Sequence, residues 1–487
     1  MAVARIGPSP LLTVYASLPI AFLLRKSTKI VQYPGGLTGQ PHRAGQGIIE
    51  KDENSEGTGA SNTKIRPSKS RLVLATTFRS LRNPDYRIYA TSQLISNCGS
   101  WIQMTAISWL VFELSDSAFM LGLVNFLRQS PVLFLGLAAG WLADNFQRKK
   151  ILWWTKVAMT IQALALGALT ISGMVELWHV CVLATLLGIV NAFDMPAKQA
   201  FTFNLVKRRD LVNAVSLNTS SFHASRSLGP VIAIFVVHFL GSRVGEGTCF
   251  ILNALSYLFV MWALFKIKAG AEPPQKSGAS KKKPLHSIPA AMRFIVANKN
   301  VLRIFALGTV SSLLCMQYLV LMPVFAKTVL SRQIDGFGML MSGAALGSFV
   351  AALLLANRGK GQDRLGRGIV YASIGFAVAL IAFSLSRQFL VSCLLTTVIG
   401  FCSTMQLSAS NAVIQLSVED QYRGQVLSVW MIVISGLGPV GGLVVGYLAS
   451  QIGAPMTMAA CGGLALVLAL TCLVFPPAKA LSPRAWH

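Results

Sequence analysis

Two arginines lie where arginine is costly. Arg128 falls in an apolar run at 119–143 and Arg226 in one at 213–240. At 1.5 Å per residue they sit roughly 14 Å and 20 Å into those runs. A central arginine in an apolar span costs about 2.5–3.5 kcal/mol on insertion scales, so an acid, backbone carbonyls or an anionic ligand must offset it. Both are therefore candidates for a substrate cavity. Polar residues repeat nearby at helical spacing. One set is Gln93, Ser96, Asn97, Ser100 and Gln103; a second is Asn213, Ser216, Ser220, His223 and Ser227. Each set falls on one helix face. A polar face inside an apolar span must meet water or protein, so cavity lining and interhelical hydrogen bonding are the two readings. Gln317 and Gln406 join the candidate cavity less regularly.

Proton chemistry needs a buried acid or a histidine. Glu113, Asp116, Glu176, Glu246 and Asp335 fall near span ends on one side, and Asp144, Asp194, Glu419 and Asp420 near ends on the other. None is expected at mid-depth. Glu113, Asp194 and His223 are the candidates for proton coupling, and Asp194 has a ready partner four residues on in Lys198. The eight cysteines show no C-x-x-C spacing and the six histidines are scattered, so no metal and no cofactor is expected. No G-x-x-x-x-G-K-[ST] stretch supports direct ATP drive.

The elements that carry these residues follow from composition. Of 487 residues 53% are apolar and only 12% charged, with a mean hydropathy of +0.58. Soluble chains average about 25% charged. The deficit excludes a soluble enzyme, a nucleic-acid module and a disordered protein. Apolar spans run roughly over 88–112, 119–143, 151–172, 177–193, 213–240 and 248–265, then 301–325, 337–356, 369–385, 389–413, 426–450 and 456–475. Each is long enough, or nearly so, to cross a bilayer. The expected fold is all-α and integral to the membrane, with twelve transmembrane helices in two pseudo-symmetric six-helix bundles. The expected organisation is a disordered or dispensable extension (1–70), an N-terminal bundle (71–265), a basic linker (266–300), a C-terminal bundle (301–478) and a tail (479–487).

Charge sets the orientation. Loops after the even-numbered spans and the central linker carry 21 Lys and Arg, among them Arg148, Lys149, Lys150, Lys207, Lys281 and Arg423; the opposite loops carry four, Arg243, Lys327, Arg332 and Arg387. The positive-inside rule makes the first set cytoplasmic, with both termini. The net charge of +26 is then mostly topology and requires no nucleic-acid partner.

The halves show traces of repetition: Leu228-Gly229-Pro230 in the fifth span parallels Leu437-Gly438-Pro439 in the eleventh. Proline removes a helix hydrogen bond and glycine permits close contact, so both sites are candidate mechanical points.

Gly140-Trp141-Leu142-Ala143-Asp144-Asn145-Phe146-Gln147-Arg148-Lys149-Lys150 resembles the loop 2–3 signature of the major facilitator superfamily, with Asn145 and Gln147 where that pattern has Arg and Gly. Gly438-Pro439-Val440-Gly441-Gly442 resembles its antiporter motif. Phe78-Arg79 to Trp109-Leu110, Asn191-Ala192-Phe193-Asp194-Met195-Pro196-Ala197 and Leu321-Met322-Pro323-Val324-Phe325-Ala326 resemble its drug and siderophore efflux branch, of the enterobactin-exporter type. The resemblance implies a monomeric secondary transporter of the inner (plasma) membrane. It would export a small amphipathic molecule across the lipid bilayer by alternating access, driven by a proton gradient. A lysophospholipid flippase of the same fold is the alternative; a polytopic membrane enzyme is disfavoured for want of clustered carboxylates. The resemblance also implies a conformational gate built from Gly140, Asp144, Arg148, Lys149, Arg423, Gly438 and Pro439.

Overall fold

A computed structural model describes residues 79–207, 210–267, 288–357, 362–418 and 420–474. The proposed N-terminal extension, most of the basic linker and the tail lie outside the described residues, as do Arg208, Arg209 and Glu419.

The chain enters its first helix, α1 (Pro84–Ser115), through Asn83, whose side chain accepts from the Asp85 and Tyr86 amides, with Pro84 at the first helical position. Then come α2 (Ala118–Asn145), α3 (Arg148–Ile171), α4 (Leu177–Leu205), α5 (Leu211–Leu240) and α6 (Ser242–Lys266). A short helix, Ile288–Ala297, precedes the second half. There α7 covers Lys299–Val329, followed by α8 (Ile334–Asn357), α9 (Gln362–Leu385) and α10 (Phe389–Ser417). The eleventh, α11, runs through Asp420–Met431, Ile432–Gly436 and Leu437–Ile452, and α12 is Ala454–Val474.

Among the described residues eleven helices are long and apolar enough to cross a membrane. The twelfth crossing is α1, whose 32 residues are long enough but whose buried Ser92, Gln93, Ser96, Gln103 and Thr105 lower its hydropathy. Packing is repeated. In the first half α1 packs on α5 and α6, α2 on α4, α3 on α4 and α6, and α5 on α6. Adding six to each number reproduces the principal pairs of the second half. Two helix pairs, α2–α11 and α5–α8, make the main joints between halves, and adding or subtracting six exchanges one with the other. The protein is thus two six-helix bundles related by an approximate two-fold axis.

The end of the fourth helix departs furthest from expectation. The expected fourth span ends near 193, with Asp194 at its end and Lys198 in the loop that follows. Instead α4 continues to Leu205 with Pro196 inside it. Asp194 is buried, and its charge is matched by another helix, which lets α4 carry it past that point.

The two ends of the molecule differ. At the end away from the basic loops, one buried apolar cluster crosses both halves and includes Trp109, Leu121, Leu321 and Phe337. The Trp109 and Phe337 rings stack with centroids 6.2 Å apart. Lys327 meets Asp116 at 3.0 Å and lies over the Phe112 ring. A side-chain carbon on Gly122 of α2 would strike the Gly442 carbonyl of α11, and one on Gly446 would sit 2.8 Å from the Ala118 carbonyl. Glycine at these positions lets the two backbones touch. At the basic end the buried clusters are separate. One holds Tyr86, Leu152, Phe201 and Leu264 in the first half; another holds Phe305, Val426 and Trp430 in the second.

Candidate functional site

A cavity of about 230 Å³ lies between the halves, walled by α1, α2, α7, α10 and α11. Two helices lose regularity there. In α7 the α-helix stops at Leu313, passes through a 3₁₀ turn at Cys315–Gln317 and resumes at Tyr318. In α11 a π turn at Ile432–Gly436 directly precedes Gly438-Pro439. Irregular backbone at membrane depth is tolerated where it lines a cavity or finds other partners. Here both hold. Gln317 Nε2 donates to the Ser312 carbonyl at 2.7 Å, and Ser312 Oγ donates to the Ile434 carbonyl at 2.7 Å. Ser312, Gln317, Ile434 and Gly438 all line the cavity. The break in α7 and the π turn in α11 are thereby tied together at its wall.

Arg128 is the cation of this cavity. Its Nη2 donates to Asn125 Oδ1 at 3.2 Å, and Gln129 donates to the same oxygen at 2.7 Å. A guanidinium has five N–H donors, and this is its one hydrogen bond among the described residues; no carboxylate there pairs with it. The rest of the wall is largely apolar, with Met104, Ile107, Val111 and Val320. Such a site accommodates a molecule with an apolar body and an anionic or hydrogen-bond-accepting group.

Several expected cavity residues point elsewhere in this conformation. The α1 residues at the cavity are Met104, Ile107, Ser108 and Val111. The polar stripe of α1 turns into its own bundle, where Asn97, Ser100 and Gln103 find partners. Gln103 donates to Gln162 at 3.3 Å and accepts from Asn253. Ser100 bonds the Ser96 carbonyl and approaches Tyr257, and Asn97 accepts from Lys198 at 3.1 Å. Gln93 is buried beside Tyr89 and Thr202, away from the cavity. On α5, Arg226 sits over the Trp101 ring at 5.5 Å in a cation–π contact. His223 packs edge-on to Phe222, and Ser220 is exposed. None of the three lines the cavity. Gln406 is held by Ser311 and the Leu307 carbonyl. Of the ten expected residues, Arg128 and Gln317 reach the wall.

Asp194 differs from expectation in its partner. Lys198, four residues on, reaches Asn97, while Asp194 makes its ion pair with Lys156 of α3 at 2.9 Å and accepts from Thr155 at 2.8 Å. Lys156 lies within the apolar run at 151–172, and that is the sequence signal, shared with Arg128, that could have marked it. Glu113 accepts from Trp109 Nε1 at 2.8 Å near the end of α1. Glu246, expected near a span end, is fully buried.

Arg148 and Lys149 bond within their own half. Gly140 has nothing within 4 Å of where a side chain would begin, and Asp144 is exposed with no partner on α11 among the described residues. Arg148 donates to Asn204 at 2.7 Å and to the Ala200 carbonyl, and Lys149 donates to the Ile267 carbonyl at 2.7 Å. Arg423 donates to the Val418 carbonyl. Pro439 is buried and Gly438 faces the cavity. Among the described residues no group of His, Cys, Asp and Glu is arranged to hold a metal.

Two six-helix repeats around a central cavity, with broken helices at its wall, define a transporter of the major facilitator type, not an enzyme. The chain belongs to the transmembrane secretion effector family of that type, matching it over residues 75–486. It is 26% identical over 386 residues to the staphyloferrin A transporter of Staphylococcus aureus, covering 77% of this chain and 92% of that one. It is 25% identical over 397 residues to the multidrug efflux pump Tap of Mycolicibacterium fortuitum, covering 80% and 95%. Its fold is similar to that of a bacterial homolog of the human lysosomal transporter Spinster, solved inward-facing and unoccupied, with a TM-score of 0.58 at 15% identity over 83% of this chain and 96% of that one. The protein is therefore a multi-pass membrane transporter of the efflux and secretion kind, acting on small molecules.

Proposed function

We propose that this protein exports an amphipathic small molecule, a siderophore or drug carrying an acidic group, by alternating access coupled to a proton gradient. The observation that carries the reading is Arg128, the cation on the wall of a cavity lined by apolar and neutral polar side chains, with Asn125 as its one hydrogen-bond partner among the described residues. An anionic substrate group would offset the charge, and the apolar wall would take the rest of the molecule. The bundles at 71–265 and 301–478 are the rocking units. With the basic end cytoplasmic, the present conformation is closed outward, at Asp116–Lys327 and Gly122–Gly442, and open inward. Asp144 then waits to meet the positive N-terminal end of α11 when the inside closes. The relatives named for a siderophore and for multidrug efflux support both substrate classes.

The test uses inverted membrane vesicles with an imposed pH gradient and two probes, 2,3-dihydroxybenzoate and tetraphenylphosphonium. The expected result is uptake of the anion that collapses with the gradient and falls at least about tenfold in Arg128→Ala, equivalent to about 1.4 kcal/mol. Uptake of the cation alone, insensitive to Arg128→Ala, would rule out the arginine-centred site. Gradient-independent uptake would remove proton drive, and uptake of neither probe would redirect the search to lipid substrates.

A further inference from the structure

At the end away from the basic loops, two carboxylates share one hydroxyl. Ser242 opens α6, and its Oγ lies 3.0 and 3.3 Å from the two carboxylate oxygens of Glu113 on α1. The same Oγ lies 3.2 Å from Oε1 of Glu246, one turn along α6. Glu113 is exposed, and Trp109 Nε1 also donates to it at 2.8 Å. Glu246 is 0% exposed, and its Oε2 has no hydrogen-bond partner. The residues on either side explain the burial. A side chain on Gly245 would press on Val237 of α5, and one on Gly247 on Ile171 of α3, so both helices close over the carboxyl.

The hydrogens do not suffice for two anions. A serine hydroxyl donates once. If both glutamates were ionised, Ser242 would satisfy one and turn a lone pair toward the other. The exposed Glu113 has water and Trp109, whereas Glu246 would be a buried carboxylate with no donor to either oxygen, a strongly unfavourable state. One added proton resolves the arrangement: Glu246 donates to Ser242 Oγ, and Ser242 donates to Glu113. The other ionisable groups here leave that count unchanged. Arg243, next on α6, is exposed and directed toward Gly173; Cys249 lies one turn further along α6 and is buried; His238 in the last turn of α5 is exposed; α3 brings no ionisable side chain to this end.

We propose that Glu246 is a proton-binding residue, protonated while this end of the transporter is closed, and that Ser242 and Glu113 carry its proton to and from the medium. The exchange balances. Ser242 passes its hydrogen to Glu113 as it takes the one on Glu246, so one proton moves from the buried carboxyl to the exposed carboxylate and the hydroxyl is restored. The same site reaches the joint between the halves. Trp109, which holds Glu113 through its indole N–H, stacks its ring on Phe337 of the other half. Parting the halves here moves that donor and changes how well Glu113 holds its charge. The transport role of the site rests on the proton-driven reading above; the protonation itself does not.

The test is infrared difference spectroscopy of the full-length protein in liposomes, with pH as the variable and no substrate. Wild type is expected to show at neutral pH the carbonyl absorption of a buried protonated carboxyl, lost on alkalinisation. Glu246→Gln lacks it, Glu246→Asp retains one, and Glu113→Gln changes the pH at which it disappears. An absorption unchanged in Glu246→Gln overturns the proposal. A parallel arm follows uptake of 2,3-dihydroxybenzoate or tetraphenylphosphonium with and without a pH gradient. A tenfold loss of gradient stimulation in Glu246→Gln supports the coupling role. Wild-type uptake indifferent to the gradient would end the proton-driven reading while the spectroscopic result still decides the site.

Discussion

At the scale of single residues, the buried charges of the first half are the sharpest test of what is structural and what is mobile. Lys156 and Asp194 are 3% and 5% exposed and pair at 2.9 Å. Removing one partner of such a pair strands a charge and costs about 3–5 kcal/mol, whereas replacing both with apolar residues is often neutral. Asp194→Asn is expected to lower thermal stability in detergent, and Lys156→Met with Asp194→Leu to recover most of it. If the double variant regains stability and still transports with a pH gradient, Asp194 is a packing residue; if it regains stability and loses the gradient dependence, Asp194 belongs to the coupling machinery. Sequence alone could see Asp194 but not its pairing. The local spacing offered Lys198, and the true partner lies 38 residues away on a neighbouring helix. Arg128 was legible for the opposite reason, since a lone cation in an apolar run needs no partner to be noticed.

At the scale of elements, period and length marked out most helices. What they could not supply was the rotation of each helix about its axis. The polar stripe of α1 was visible as a stripe, yet two surfaces compete for it, the cavity and the α3–α6 side, and only the positions of Gln162, Asn253 and Tyr257 decide in favour of the second. The Gly-Pro in α11 was legible as a mechanical point; its pairing with the break in α7 through Ser312 was not, because that bond crosses 122 residues. The α2–α11 joint gives a direct prediction. Gly122→Val places methyl groups against the Gly442 backbone, which is expected to hold that end open. In a cysteine-free background, Asn125→Cys on the cavity wall should then become reactive to an impermeant maleimide from the side away from the basic loops. Labelling still confined to the basic side would mean that this joint does not set the conformation.

At the scale of the whole molecule, the count of spans around the basic linker and the Gly-Pro repeat anticipated the two-fold plan, while the contrast between one shared apolar cluster at one end and separate clusters at the other needed the packing. The proposed orientation rests on the uneven basic loops. A green fluorescent protein fused to the C-terminus is expected to fluoresce in a bacterial host, and alkaline phosphatase fused there to be inactive; the reverse pattern would invert every statement about inside and outside. One further consequence concerns biogenesis. Gln103 and Asn97 of α1 are bonded by α3, α4 and α6, and α1 by itself is not among the helices apolar enough to be an independent span. As it leaves the ribosome it has no partner for those groups, and lipid offers none. Its stable integration must therefore wait until α6 has been made, so that translation of the first half is also its assembly. Cutting the gene between α6 and α7 should yield two fragments that insert separately and reassociate; cutting it between α1 and α3 should leave α1 stranded outside the bilayer and open to proteolysis.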